Sequence, residues 1–403
     1  MIRYRGEWIV PVSGKPLRRA QVTIDRGRVV SVKDTAALDA VDLGRVAVLP
    51  GLVNAHTHLE LSYLRDTIPK ATCFTDWMRP VMRARRNLAD PRSRVVIQAA
   101  EDAIREAKEC GTAAVGDISN TLVTGPLLAA AGMAALVFHE LMGFDVAEPT
   151  AMVAEARRII DAQPAMPGVR WTLAAHAPYS VSPGLFAALR ADLEQQAFRV
   201  SSVHLGESAE EVELLRSGTG PWRTLLRELG VVTDSWPVPG VGPVDYLESL
   251  GFLGRDVMAV HGVQFGGSDL ARLRALDATL VSCPRSNAHV GVGAPPLEAF
   301  YAAGVRVAFG TDSLASVGDL NLFAELHAAR KVAPLVPAKD LIGSATVAGA
   351  RALGLEADLG TIEPGKRAKL VAVRIPAGVE DVEEFLVSGV SPDAIDWLPD
   401  GMA

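Results

Sequence analysis

The chain has 403 residues, 49% of them hydrophobic and 22% charged, with a mean hydropathy of +0.21; this composition suits a soluble globular protein with material for a large core. Net charge is −7, the pI is about 5.7 and aromatic residues make up only 5%, so neither a basic footprint for nucleic acid nor a set of base-stacking platforms is present. No uninterrupted apolar stretch reaches about 18 residues, the length a membrane span needs.

The opening "MIRYRGEWIVPVSG" is interrupted by Glu7 and Pro11 before any leader-like apolar run develops. Residues 1–48 read as short strands, "EWIVPV", "RRAQVTID", "GRVVSVKD" and "GRVAVLP", separated by Gly and Asp turns. Between 49 and 357 short apolar runs alternate with Ala-, Leu- and Arg-rich helical stretches. The runs are "GLVNAHTH", "GTAAVGDIS", "AALVFHEL", "VRWTLAAHAP", "FRVSSVHLGE", "DVMAVHGV", "TLVSCP" and "RVAFGTDS". Near-continuous apolar strands alternating with helices imply a parallel sheet covered on both faces. Eight such units predict an α/β fold, a (β/α)₈ TIM barrel. The tail from 358, "LGTIEPGKRAKLVAVRIP", returns to strand texture and could complete the N-terminal sheet. Cys73, Cys110 and Cys283 are far apart and odd in number. They make neither a disulfide framework nor a zinc knuckle and suit a reducing cytoplasm.

The polar residues fall at the ends of these runs. His56 and His58 close the first, and residues two apart on a strand project from one face. Two imidazoles side by side fill a core awkwardly and hold a metal well. His176 closes the fourth run, His204 the fifth with Glu207 three residues on, His261 the sixth and Asp312 the eighth. Each alone reads as an ordinary core or capping residue. In a barrel, however, C-terminal strand ends form one mouth where active sites gather. Five histidines and one aspartate on a single rim point to a metal site.

The set H-x-H, H, H-x-x-E, H and D at successive strand ends resembles the amidohydrolase superfamily, in particular its aminohydrolases acting on adenosine-type nucleosides, guanine and triazines. The strand-rich ends match the small β-sandwich of that family, which the resemblance assigns to residues 1–48 and 358–403 beside the barrel of 49–357; "GTIEPGKRAKLVAV" is similar to its closing motif, with Lys369 where an aspartate is usual. The resemblance implies that His56, His58, His204 and Asp312 ligate one metal, zinc first and iron(II) second, with a position open for water. Binuclear relatives carry a lysine on the fourth strand; this chain offers His176 there, which favours one metal. Glu207 is then the carboxylate that shuttles a proton from water to a ring nitrogen and the leaving amine. His261 orients that water or stabilises the developing oxyanion, and Asp312 joins them in catalysis. His176 contacts the substrate ring or sugar. His139 and Glu140 follow the third run and could line the same pocket, while Ser286 or Asn287 in "CPRSN" could orient Asp312 or the substrate.

The resemblance implies a metal-dependent hydrolytic deaminase of a small nucleoside-like substrate, cytoplasmic and compatible with a homodimer. The rivals are another hydrolysis on the same metal (amide, imidazolone or chlorotriazine) and a non-catalytic scaffold, which should have lost ligands. In "TCFTDWMRPVMRARR" Phe74 and Trp77 offer stacking faces, and Arg79, Arg83, Arg85 and Arg86 offer charge for a distal carboxylate. Aminodeoxyfutalosine, on one menaquinone route, and S-adenosylhomocysteine carry such a group, and overall similarity leans toward the first; methylthioadenosine belongs to the alternative set.

Overall fold

Valine-rich runs too short and too regularly interrupted for helices begin the chain, and they pair as strands. A computed structural model describes residues 1–35, 37–88, 90–232 and 236–400. Its first seven strands are β1 Ile2–Arg5, β2 Trp8–Ile9, β3 Leu17–Arg18, β4 Gln21–Asp25, β5 Arg28–Lys33, β6 Val41–Asp42 and β7 Val46–Pro50. Next come β8 Leu52–Thr57, β9 Thr112–Ser119, β10 Ala134–Leu141, β11 Val169–Ala175, β12 Ser201–Leu205, β13 Val257–His261, β14 Thr279–Ser282 and β15 Arg306–Phe309. The chain ends with β16 Leu370–Arg374 and β17 Ile395–Trp397.

The eight middle strands are the eight apolar runs. They pair in parallel as two four-stranded sheets, ordered β11-β10-β9-β8 and β12-β13-β14-β15. Alternate residues feed two different apolar clusters: Ala135 and Val137 join one, Leu136 and Phe138 the other, and Ala259 and Val260 divide in the same way. A strand buried on both faces needs apolar residues at every position, which is why these runs show no polar alternation. The sheets also meet at both edges. The backbone N–H of His204 donates to His176 O at 2.8 Å, linking the ends of β11 and β12. At the other edge Asp312 N donates to His56 O at 3.1 Å and Asn54 Nδ2 to Thr311 Oγ1 at 2.8 Å. Gly310 permits this approach, because a Cβ there would lie 2.7 Å from His56 O and 2.8 Å from His56 Cβ.

The remaining strands form a four-stranded sheet, β5-β4-β1-β6, and a five-stranded one, β17-β16-β7-β2-β3. Both contribute to one apolar cluster, which includes Tyr4, Val22 and Ile24 from the first and Ile9, Val48 and Leu370 from the second. β16 lies antiparallel to β7, so the two ends of the chain share a sheet. Lys369 pairs with Asp400 at 3.0 Å in this region, far along the chain from the histidines. Among the described residues no helix is long and apolar enough to cross a membrane.

Candidate active site

His56 and His58, at the end of β8, bring their Nε2 atoms within 3.2 Å of each other. Asp312 Oδ1 stands 3.4 Å from His58 Nε2 and 3.8 Å from His56 Nε2. His204 and His261, on the adjacent strands β12 and β13, approach Nδ1 to Nε2 at 3.0 Å, and the His56 and His204 rings lie 4.9 Å apart. Burial together with the neighbouring imidazoles holds His56 well below its ordinary pKa; burial also lowers His58 and takes His261 down to about 3. Burial works the other way on Asp312, yet the imidazoles of His58 and His261 and the Ser286 hydroxyl keep its carboxyl below the usual range. Neutral imidazoles around an ionised carboxylate form a donor set for a divalent transition metal. His204 Nε2 is buried without a hydrogen-bond partner among the described residues, as a group awaiting a cation would be. The residues present therefore fit a metal. His261 and Asp312 also adopt left-handed backbone conformations, with φ of 78° and 61°. Such geometry costs a non-glycine residue on the order of 1–3 kcal/mol and recurs at functional sites.

Glu207 follows β12 on a tight turn in which Gly206 has φ 62°. The turn is clamped from below: Gly206 N and Glu207 N both donate to the Glu211 carboxylate at 3.0 Å, and Ser208 Oγ accepts from Glu211 N. The neighbouring glutamates therefore serve the backbone, and Glu210 likewise accepts from Phe74 N. The Glu207 side chain is left to face the cavity, with Oε1 3.7 Å from His261 Nε2. Burial, reinforced by Asp312 and Glu211, pushes its carboxyl well above the ordinary carboxylate range.

These groups form the floor of a cavity of about 440 Å³. The wall above is apolar, with Phe74 stacked near Trp77 and Tyr179 stacked on Trp222 at 3.9 Å. Glu140 and His176 lie at the boundary. His176 Nδ1 meets Ser180 Oγ at 2.6 Å; because that hydroxyl donates to Ala177 O, the ring donates through Nδ1 and presents Nε2 as an acceptor. Glu140 Oε2 accepts from Asn120 Nδ2 at 3.1 Å, and Asn120 Oδ1 accepts from Arg85 at 2.7 Å. Burial opposes ionisation of Glu140, but His176 and His204 outweigh it and hold the carboxyl well below its usual range.

The structure corrects three expectations. Arg79 and Arg83 do not line the cavity: Arg79 pairs with Glu228 at 2.5 Å on the surface, and Arg83 is exposed. Of the four arginines offered by the segment, Arg85 and Arg86 line it. Phe74–Asn87 is a helix, so Trp77, Val81 and Arg85 share one face while 79 and 83 point away. That periodicity was a readable signal. His139 is also absent from the cavity, because its neighbour Glu140 takes the inward face of β10 and adjacent strand residues point oppositely. Asn120, Tyr179, Ser180 and Trp222 escaped sequence reasoning; nothing local marks them. Ser286 and Asn287 do meet the site, at Asp312 and His261 respectively.

This floor of imidazoles and carboxylates, at the ends of parallel strands and beneath a largely apolar cavity, belongs to a hydrolytic enzyme. The sequence pattern of the amidohydrolase family matches residues 47–390, and the chain belongs to that family. It is 32% identical over 317 residues to an aminodeoxyfutalosine deaminase of Deinococcus radiodurans, covering 76% of this chain and 73% of the relative. It is 28% identical over 392 residues to a 5-methylthioadenosine/S-adenosylhomocysteine deaminase of Teredinibacter turnerae, covering 91% and 82%. Among solved structures, an adenosine deaminase from Xanthomonas campestris with bound zinc superposes with a TM-score of 0.84 at 26% identity, covering 99% of this chain and 92% of that one. The chain is a hydrolase acting on a C–N bond.

Proposed function

We propose that the chain is a metal-dependent deaminase converting an adenosine-type nucleoside, 6-aminodeoxyfutalosine of menaquinone biosynthesis, to its inosine-type product and ammonia. The observation that carries the deaminase reading is Glu207. It is a buried carboxylate with no hydrogen bond of its own among the described residues, set beside His261 and the donor cluster. The relatives named for aminodeoxyfutalosine and for methylthioadenosine and S-adenosylhomocysteine support the nucleoside class. The architecture we assign is a (β/α)₈ barrel over 49–357 with a β-sandwich from 1–48 and 358–403; the hydrogen bonds at both sheet edges support closure. Three unpaired thiols support a reducing, cytoplasmic setting.

In this reading His56, His58, His204 and Asp312 hold one zinc ion, with iron(II) as the second choice. When bound, the ion supplies Lewis acidity that makes water a competent nucleophile near neutral pH. Glu207 takes a proton from the attacking water and delivers it to the ring nitrogen beside the amine-bearing carbon. It then passes the second proton to the leaving amine, so that ammonia departs. His261, neutral and anchored, donates to the oxygen on which charge develops. Asp312 completes the ligand set and faces the same oxygen. Phe74 and Trp77 exclude water from the reacting ring, and His176 offers Nε2 to a donor on the substrate.

Glu140 is placed to accept sugar hydroxyls: Asn120 engages one of its oxygens, the other lies 3.5 Å from His204 Nε2, and each carboxylate oxygen keeps a further lone pair. Glu140→Gln should lower kcat/KM about 10–100-fold for a ribonucleoside, the value of one or two hydrogen bonds to a charged acceptor. The same change should cost a sugar-deoxygenated analogue much less; equal losses on both would remove Glu140 from sugar recognition.

The apolar wall and the arginines at its mouth support a substrate with a bulky, carboxylate-bearing arm. Ammonia release from aminodeoxyfutalosine, S-adenosylhomocysteine, methylthioadenosine and adenosine tests this. Aminodeoxyfutalosine should lead and adenosine should trail by about one to two decades in kcat/KM. Methylthioadenosine or S-adenosylhomocysteine in the lead would establish the second reading, which the longer alignment to the Teredinibacter relative favours. Silence from all four would hand the site to amide, imidazolone or chlorotriazine hydrolysis.

A further inference from the structure

The seventh strand unit, β14 and the helix Pro284–Val290 after it, contributes neither histidine nor carboxylate to the cavity floor. It contributes instead two adjacent side chains, both fully buried. Ser286 Oγ donates to Asp312 Oδ2 at 2.6 Å, and Ser316 Oγ adds a longer contact to the same oxygen at 3.3 Å. Asn287 Nδ2 meets His261 Nδ1 at 3.0 Å. The two groups they hold are His261 and Asp312, the pair with left-handed backbone at the site. A strained residue relaxes unless its surroundings over-determine it. The helix that carries the dipeptide is itself pinned, because Arg285 N donates to Glu325 Oε2 at 3.1 Å and the Arg285 guanidinium pairs with Asp319 at 2.8 Å.

We propose that Ser286 and Asn287 are positioning residues with separate tasks: Ser286 aims the Asp312 carboxylate at the metal, and Asn287 sets the ring orientation and tautomer of His261. An amide N–H given to Nδ1 requires a lone pair there and leaves the ring proton on Nε2. That Nε2 lies 3.0 Å from His204 Nδ1 and 3.7 Å from Glu207 Oε1, so the ring's orientation decides which of the two its proton serves. The inference rests on the deaminase reading above and adds to it how one dipeptide serves two different groups.

The tasks separate by measurement. Zinc retention is read by titrating purified holoenzyme with a chelator, and kcat and KM are read at saturating zinc with whichever nucleoside the unsubstituted enzyme turns over. Ser286→Ala should weaken zinc retention about 10–100-fold, the usual cost of losing a hydrogen bond to a metal ligand, with kcat recovering near its original value once zinc saturates. Asn287→Ala should leave zinc retention and KM unchanged and lower kcat about 10–100-fold. If Asn287→Ala does not accumulate as folded protein, Asn287→Ser is read in its place with the same expected split. The proposal is overturned if both variants shift the same quantity, or if neither shifts either one. An unsubstituted enzyme that turns over nucleoside while the split is absent sinks only the assignment of the pair. One that neither holds zinc nor releases ammonia sinks the deaminase reading itself.

Discussion

Replacing His56 with alanine should strip the transition metal from the protein and take activity toward the uncatalysed rate, a loss on the order of 10⁶-fold. His56 is completely buried, its Nε2 lies 3.2 Å from His58 Nε2 and 3.8 Å from Asp312 Oδ1, and its other nitrogen has no partner among the described residues. Two imidazole nitrogens this close to each other and to a carboxylate oxygen are a set of lone pairs that a shared cation would take up. Removing His56 leaves three of the four protein donors, His58, His204 and Asp312, and takes away the most deeply buried imidazole of the set. Elemental analysis of the purified variant should show the metal gone, and incubation of the unsubstituted enzyme with a chelator should reproduce the loss and zinc or iron(II) should reverse it. A His56→Ala protein with full metal content and ordinary turnover would falsify the ligand assignment.

The second large effect separates chemistry from binding. Glu207→Gln should keep the metal and the fold yet lose about 10²–10⁴-fold in kcat, the contribution of one positioned proton shuttle. The turn that carries Glu207 is held by its backbone through Glu211 and Ser208, so the substitution removes only the ionisable oxygen. Gln is isosteric and can still occupy the space beside His261. Because the proton transfer occurs in the transition state, KM should move little while kcat and kcat/KM fall together. Retention within tenfold of the unsubstituted rate would take the proton relay away from Glu207. Loss of metal instead would make it a ligand.

Much of this site was legible in one dimension. H-x-H closing an apolar run, with further His, Glu and Asp residues closing later runs, states a shared strand end without any coordinates, because strand ends in an alternating β/α pattern face one way. The runs at 52–57, 201–205, 257–261 and 306–309 became strands, and the polar residues ending or following them came together. The substrate wall was less legible. Phe74 and Trp77 are visible as aromatics in the right segment, but charge alone leaves Arg79, Arg83, Arg85 and Arg86 equivalent, and only helical phase separates them. His139 was set beside Glu140 although strand alternation allows only one of them inward.

The sequence by itself determined the strand count of the central region and the chemistry of its polar ends. These follow from local rules, a period of two or 3.6 and the few residue types that can ligate a metal. Only the tertiary structure decided that Tyr179 and Trp222 stack above the floor and that Asn120 ties Arg85 to Glu140. It alone showed Ser286 reaching Asp312 while Asn287 reaches His261. Such contacts join residues tens of positions apart through a hydroxyl, an amide or an aromatic face. Those groups are common everywhere in a chain, and they acquire meaning only when folding places one particular partner within reach.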